Sequence, residues 1–145
     1  MPLISLDKIS KVLDVELSSF FNMSDTANDL RIVRRYEQKS TIVNPEIVEY
    51  SLTNNITDFD LLPRLVELMP ALQKEDELEL YTHGGEEFIY ILEGILTLQI
   101  GSDIYNLYPG DSAHIHSNIS HNWKNDFDAV TRFLTVHTPN PFQHP

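Results

Sequence analysis

The sequence contains no cysteine, and no apolar run approaches the roughly 20 residues that a membrane-spanning helix needs. The absence of cysteine excludes disulfides, thiolate catalysis and cysteine-based zinc sites. The first residues, Met-Pro-Leu-Ile-Ser-Leu-Asp-Lys, lack the basic stretch and apolar core of a signal peptide. We therefore expect a cytoplasmic protein with no membrane partner.

Basic residues are also scarce. The 10 Lys and Arg residues are outnumbered by 22 Asp and Glu residues, which gives a formal net charge of -12. A surface of this sign repels the phosphate backbone of nucleic acids, so the chain by itself is predicted to bind DNA poorly. The hydrophobic fraction of 41% is ordinary for a globular protein, and 145 residues are typical of one domain.

Helical patterning is confined to the beginning of the chain. Residues 5–15 predict a short amphipathic helix, because apolar residues recur there at helical spacing: Leu6, Ile9, Val12 and Leu13. A second helical turn is predicted around Leu17, Phe20 and Phe21. Residues 22–30 are largely polar and aperiodic, which predicts a linker.

From residue 31 onward the sequence predicts an all-β fold. Runs rich in β-branched and aromatic residues predict strands at 31–36, 40–43, 46–53, 65–68, 78–82, 88–92, 96–100, 105–108, 112–115, 122–123 and 130–137. The run 65–68 lies between Pro63 and Pro70, which cannot donate to a ladder, so we expect an edge strand there. Many short strands separated by turn residues indicate a β-sandwich or barrel.

The residues with ligand chemistry cluster in two segments. Tyr81, His83 and Glu87 share strand parity, so they are expected on one face, and His121 follows a turn at Tyr108-Pro109-Gly110-Asp111. Two imidazoles and one carboxylate suit divalent Zn, Ni, Fe or Mn, with Tyr81 as a fourth, weaker ligand. Trp123 and Asn125 share parity with His121 and are predicted to line a ligand pocket, although a lone tryptophan in a β-barrel more often packs in the core.

These segments resemble the two motifs of the cupins. The second half of the first motif is matched by His83, Glu87 and Gly94 at the family's spacing, and the second motif by Pro109-Gly110 followed by His121 and Asn125. The resemblance implies a double-stranded β-helix, or jelly-roll barrel, over residues 31–138 and a divalent metal held by His83, Glu87 and His121. Tyr81 stands where the family has its first histidine, and Glu75 or Asp76 where it has glycine. A metal-loaded site and a metal-free, hydrogen-bonded site therefore both remain open.

The other titratable residues near these motifs carry less information. His114 and His116 alternate with Ala113 and Ile115, so they are expected on the surface, with an accessory metal or pH-sensitive site as the alternative. Glu86 has the opposite parity to Glu87 and is expected to face solvent. His137 and His144 fit no pattern, and no role is predicted for them.

The N-terminal segment is similar to the last two helices of XRE-type helix-turn-helix domains, which precede a cupin in some bacterial transcription regulators. This similarity divides the chain into a helix-turn-helix remnant at 1–21, a linker at 22–30, the barrel at 31–138 and a C-terminal tail at 139–145. The helices that read DNA are not in this sequence, so DNA is an expected partner only through a helix-turn-helix domain outside the chain. Whether the chain is part of a longer regulator or a natural remnant stays open.

Three functions follow from these features. We favour a small-ligand sensor of a transcription regulator, without catalysis. The alternative is a metal-dependent enzyme, such as a dioxygenase, isomerase or decarboxylase, that uses His83, Glu87 and His121 as ligands. The third is a stand-alone module that dimerises through its strand edges, and a homodimer is expected for the sensor as well.

Overall fold

A computed structural model describes residues 31–71 and 78–142 of the chain. The two predicted N-terminal helices, the linker and His144 lie outside these residues. Within them, strands alternate with tight turns as the sequence predicts, and the fold is all-β with two antiparallel sheets. No helix in the described ranges is long and apolar enough to cross a membrane.

Nine strands and one short 3-10 helix make up the described part of the chain. The 3-10 helix spans Arg35–Glu37, and the strands are β1 (Ser40–Asn44), β2 (Ile47–Ser51), β3 (Leu62–Leu68), β4 (Glu86–Glu93), β5 (Leu96–Ile100), β6 (Asp103–Leu107), β7 (Ser112–His116), β8 (His121–Lys124) and β9 (Thr131–Thr138). One sheet has the order β1-β2-β3-β9-β4-β7, and the other has the order β6-β5-β8.

The core lies between the two sheets. Its buried members come from β3, β4 and β9 of the larger sheet and from β5 of the smaller: Val66, Leu68, Ile89, Ile91, Phe133, Leu96 and Leu98. In β4 and β9 buried residues alternate with exposed or half-buried ones, as expected for strands with one inward face. Sheet-on-sheet burial of this kind provides most of the driving force for folding.

Three sequence predictions about the strands are wrong. Residues 31–36 form no strand, and Arg35 begins the 3-10 helix instead. The segment 78–82 contributes only an isolated bridge between Tyr81 and His121. The third concerns β3, which lies between β2 and β9 and not at an edge. Pro63 is tolerated there because it is the second residue of β3, and its carbonyl still accepts a bond from Leu52 N at 3.2 Å.

The turn that precedes β7 is formed as predicted. Asp111 N donates to Tyr108 O at 2.8 Å, and the Asp111 carboxylate accepts a bond from Tyr108 N at 2.8 Å. Gly110 has a φ of 92°, which residues with a side chain rarely adopt. The Pro-Gly pair therefore makes a tight turn that leads into β7.

Candidate functional site

Two segments of the backbone bring His83 and His121 together. Tyr81 and His121 exchange both backbone hydrogen bonds at 3.0 Å, and His83 N donates to Ser117 O at 2.9 Å. The segment before β4 is thereby aligned with the segment that leads into β8. The smaller sheet contributes His121, and the larger sheet contributes Glu87 from β4.

Gly85 fixes the path of the chain between His83 and Glu87. Its φ is 84°, and a Cβ atom at this position would overlap the Thr138 carbonyl and approach Pro139 Cδ. Only glycine fits both requirements, because it lacks Cβ and readily adopts positive φ. The close approach of Gly85 to the end of β9 places His83 and Glu87 beside the same cavity.

His83, Glu87 and His121 converge as the sequence predicts. One potential ligand atom from each residue lies within 4.8 Å of the other two, a spacing that allows all three to hold one metal ion. Glu87 and His121 are buried, whereas His83 is exposed at the rim. The His83 and His121 rings meet edge to face, with centroids 5.2 Å apart. We call this group the His-Glu-His triad.

The hydrogen bonds of the two histidines leave their Nε2 atoms available as ligands. His121 Nδ1 lies 2.7 Å from Ile119 O, and His83 Nδ1 lies 3.0 Å from Gly84 O. A carbonyl oxygen can only accept a hydrogen bond, so each Nδ1 carries the proton. In a neutral imidazole the Nε2 atom then has a free lone pair, which is the arrangement found in metal-binding histidines.

The contact between His121 and Glu87 tests whether a cation fits this site. His121 Nε2 lies 3.3 Å from Glu87 Oε2, and both side chains are buried. Two acceptors that face each other repel, so a proton or a metal ion is needed between them. The other carboxylate oxygen, Oε1, accepts a 2.9 Å bond from Thr135, which orients Glu87. This donor set therefore fits a divalent metal ion, and such an ion would act as a Lewis acid toward a bound ligand.

Tyr81 is the least suitable of the four predicted metal ligands. Its side chain is 54% exposed. Hydrogen bonding to Glu79 raises the pKa of its hydroxyl, and the Glu79 charge adds to this effect. A tyrosine binds metal as phenolate, so a raised pKa weakens it as a ligand. Its part in the metal site stays a prediction, while its backbone demonstrably pairs with that of His121.

Trp123 and Asn125 do not line the cavity that adjoins the triad. Trp123 packs on the core and meets the Phe133 ring edge to face at 5.1 Å. The buried Asn125 amide bonds to backbone atoms, donating to Leu68 O and Ala129 O and accepting from Phe127 N. These contacts give both residues structural roles, and the ligand-pocket assignment stays a prediction.

Sequence reasoning missed two residues beside the triad, His137 and Arg64. His137 is half-buried on β9, lies opposite Glu87 in the ladder, and has its ring 6.0 Å from that of His83. Burial lowers the pKa of His137, and the Arg64 charge lowers it further. The missed signal is strand parity. Every second residue of β9 lies on the same face, and this set comprises Thr131, Phe133, Thr135 and His137.

The surface residues near the site are placed as predicted. His114, His116 and Glu86 are exposed, and His114 Nε2 lies 3.3 Å from Glu86 Oε1. This pair is on the solvent face of β4 and β7, opposite to Glu87. An accessory metal or pH-sensitive site at these histidines stays an untested alternative.

Comparison with known proteins identifies the class. Residues 68–137 match the family model described as a Cupin domain, a span that contains all three residues of the triad. Together with the two-sheet fold, this match, which covers just under half of the chain, shows a cupin domain within it.

The sequence is also similar to a transcription regulator. HTH-type transcriptional regulator PuuR of Escherichia coli strain K12 is 28% identical over 139 residues, which cover 95% of this chain and 73% of PuuR. The Shigella flexneri regulator of the same name matches to the same extent.

Solved structures with similar folds include further cupins. An RmlC-like cupin from Shewanella frigidimarina superposes with a TM-score of 0.61 at 14% identity, covering 76% of this chain and 91% of the other. The FeII structure of HppE gives a TM-score of 0.61 at 20% identity. The superposition covers 73% of this chain and 59% of HppE. At these identities the comparison supports the fold alone.

Proposed function

We propose that this chain is the small-ligand-binding cupin of a transcription regulator of the XRE type, and that it acts as a cytoplasmic homodimer. In this proposal the His-Glu-His triad holds one divalent ion of Zn, Ni, Fe or Mn. DNA contact belongs to a helix-turn-helix domain outside the barrel, because the strong negative charge of the chain disfavours direct DNA binding.

One observation carries the regulatory part of the proposal. The similarity to PuuR extends over 95% of the chain, whereas the cupin model matches residues 68–137 only. A match confined to the barrel would be expected of any cupin. The longer match therefore favours a regulator over an unrelated cupin enzyme.

Metal titration tests the ligand-binding part. The chelator-treated full chain is titrated with Mn²⁺, Ni²⁺ and Zn²⁺ in a calorimeter, alongside Glu87→Gln and the control Glu86→Gln. We expect one bound ion for the native chain and an affinity lower by at least about tenfold for Glu87→Gln, since even outer-shell substitutions cost about 10–100-fold.

Glu86→Gln is the matched control because Glu86 adjoins Glu87 but is exposed on the other face of β4. It should bind metal as the native chain does. Equal affinities for Glu87→Gln and the native chain would contradict a metal site at the triad.

A metal-dependent enzyme is the second candidate, favoured by the facial arrangement of two imidazoles and one carboxylate. The likeness to FeII HppE is compatible with it but extends only to the fold. The two functions differ in the fate of the ligand. A sensor returns its ligand unchanged after incubation with the metal-loaded chain, whereas mass spectrometry would detect a converted product if the chain were an enzyme.

A further inference from the structure

A cavity of about 280 Å³ opens beside the triad, and its wall includes the Arg64 guanidinium and the His83 and His137 imidazoles. His83 and Glu87 lie on its metal side, and Arg64, His137, Pro139 and Pro141 complete the lining. Its volume falls near the low end of the roughly 300–1,000 Å³ typical of small-molecule pockets. The cavity therefore suits a compact ligand.

The inward position of Arg64 follows from its strand. In β3, Leu62, Val66 and Leu68 are buried, and Arg64 has the same parity. Its cross-strand partner on β9 is Thr135, the residue that holds Glu87. Arg64 is thus a charged residue on the inner face of the barrel, next to Thr135, which donates a hydrogen bond to Glu87 of the triad.

Two nitrogen atoms of this wall lack partners. Arg64 Nε and His137 Nδ1 are buried, and neither has a hydrogen-bond partner within residues 31–71 and 78–142. Buried polar groups are almost always paired, because an unpaired one costs free energy. Two such atoms on residues that share one cavity indicate that a ligand supplies the missing partners, an acceptor for Arg64 Nε and, when Nδ1 carries the proton, another for His137.

The charges around Arg64 favour an anion. Among the described residues, Arg64 forms one ion pair, a single 2.8 Å bond from Nη1 to Glu49 Oε2, which leaves other donors of the guanidinium fork available. Arg64 also lines a second cavity of about 340 Å³, whose other charged residues are Lys39 and Glu49. Two cations therefore face one carboxylate there, in a chain with a formal net charge of -12. In the cavity beside the triad Arg64 faces Glu87, whose charge the proposed metal ion would offset.

We propose that Arg64 and His137 bind the carboxylate of a small organic acid that lies between them and the His-Glu-His triad. This inference rests on the proposed ligand-binding function and adds its ligand class. Arg64 is suited to the role because a planar guanidinium pairs with both oxygens of a carboxylate. An alternative in which Arg64 serves only to pair with Glu49 predicts no ligand effect.

The test compares ligands that share a four-carbon chain and differ in charge. Succinate, 1,4-butanediol and 1,4-diaminobutane are titrated into the full chain, with and without bound Mn²⁺, and binding is measured by calorimetry. We expect succinate to bind at least about tenfold more tightly than the diol, since one charge-assisted contact is worth that much. Tighter binding of the diamine, or no difference between succinate and the diol, would overturn the proposal.

Variants assign the effect to Arg64. Arg64→Met keeps the length of the aliphatic stem, and it should weaken succinate binding at least about tenfold. Glu49→Gln removes the competing carboxylate and should strengthen it. The matched control is Arg132→Met on β9. Arg132 also has a buried Nε without a hydrogen-bond partner in the described ranges, although that atom lies 4.0 Å from Glu67 Oε2, and it has the outward parity of its strand. Arg132→Met should leave succinate affinity unchanged.

The combined results separate this inference from the proposed function. Metal binding that depends on Glu87, together with succinate affinity that Arg64→Met does not change, would refute only the anion inference. Succinate binding that depends on Arg64, in a chain that binds no metal at the triad, would refute the metal site and leave the anion inference intact. His137→Gln should weaken succinate binding less than Arg64→Met, because it removes a neutral contact.

Discussion

Glu87 owes its orientation to Thr135. The hydroxyl of Thr135, itself buried, donates to Glu87 Oε1 at 2.9 Å and leaves Oε2 directed at His121. Outer contacts of this kind hold a metal-binding carboxylate in one conformation and reduce the entropy lost on binding. The metal affinity of the site therefore depends on Thr135, a residue that is not itself a ligand.

Thr135→Val tests this dependence at the residue scale. Valine has nearly the same shape but no donor, so Glu87 loses its partner and the metal affinity should fall about 10–100-fold. The control is Thr131→Val, because Thr131 is equally buried on β9 but donates to Ile95 O, away from the triad. Both variants should lose about 1–3 kcal/mol of unfolding free energy in urea, and only Thr135→Val should lose metal affinity. Unchanged metal affinity in Thr135→Val would show that Glu87 needs no such support.

At the scale of the elements, the inner face of the barrel divides into an apolar part and a polar part. On β9, Phe133 belongs to the apolar core, whereas Thr135 and His137 face the site. On β4 the division falls between Ile89 and Glu87. One end of the barrel thus supplies stability, and the other can hold polar groups because they pair with one another or border a cavity.

Gly84 and Gly85 offer a matched pair for testing how the chain enters β4. Gly85→Ala would place Cβ against the Thr138 backbone at positive φ. We therefore expect the free energy of unfolding in urea to fall by about 1–3 kcal/mol and metal binding to weaken. Gly84→Ala meets no atom within 4 Å and should change stability by less than about 1 kcal/mol. Similar effects of the two substitutions would contradict the tight packing of Gly85 against β9.

Local sequence patterns predicted the strands that carry the site, but they did not predict which strands pair with one another. The parity of His83 and Glu87 and the spacing to His121 are local, and the structure brings these residues together. The position of β3 depends on pairing with β2 and β9, which are distant in sequence, so the prolines alone suggested an edge. Strand parity would have placed His137 on the inner face, but the proximity of Arg64 and His137 to the triad arises only when β3, β9 and β4 form adjacent strands.

At the scale of the whole molecule, β1 and β7 are the edges of the larger sheet in the described residues, and β1 is the more exposed of the two. All five of its residues are exposed, including Ile42 at 75% and Val43 at 52%. Unpaired edges with apolar side chains tend to pair with another strand. This edge is where we place the contact of the proposed homodimer.

Light scattering after size exclusion checks the dimer. The native chain should elute with twice the mass of one chain, and Ile42→Lys should elute as a monomer, because a lysine at an edge blocks strand pairing. Ile104→Lys is the control, since Ile104 is 64% exposed on β6, the edge of the smaller sheet. A monomeric native chain at micromolar concentration, or a dimer that persists in Ile42→Lys, would contradict this placement.

A metal ion at the triad inside the barrel is central to the account. Crystals of the full chain grown with Co²⁺, measured on both sides of the cobalt absorption edge, locate such an ion directly through anomalous scattering. The predicted result is one strong peak within bonding distance of His83, Glu87 and His121. No peak at the triad, or a peak only beside the exposed Glu86 and His114 pair, would contradict the account.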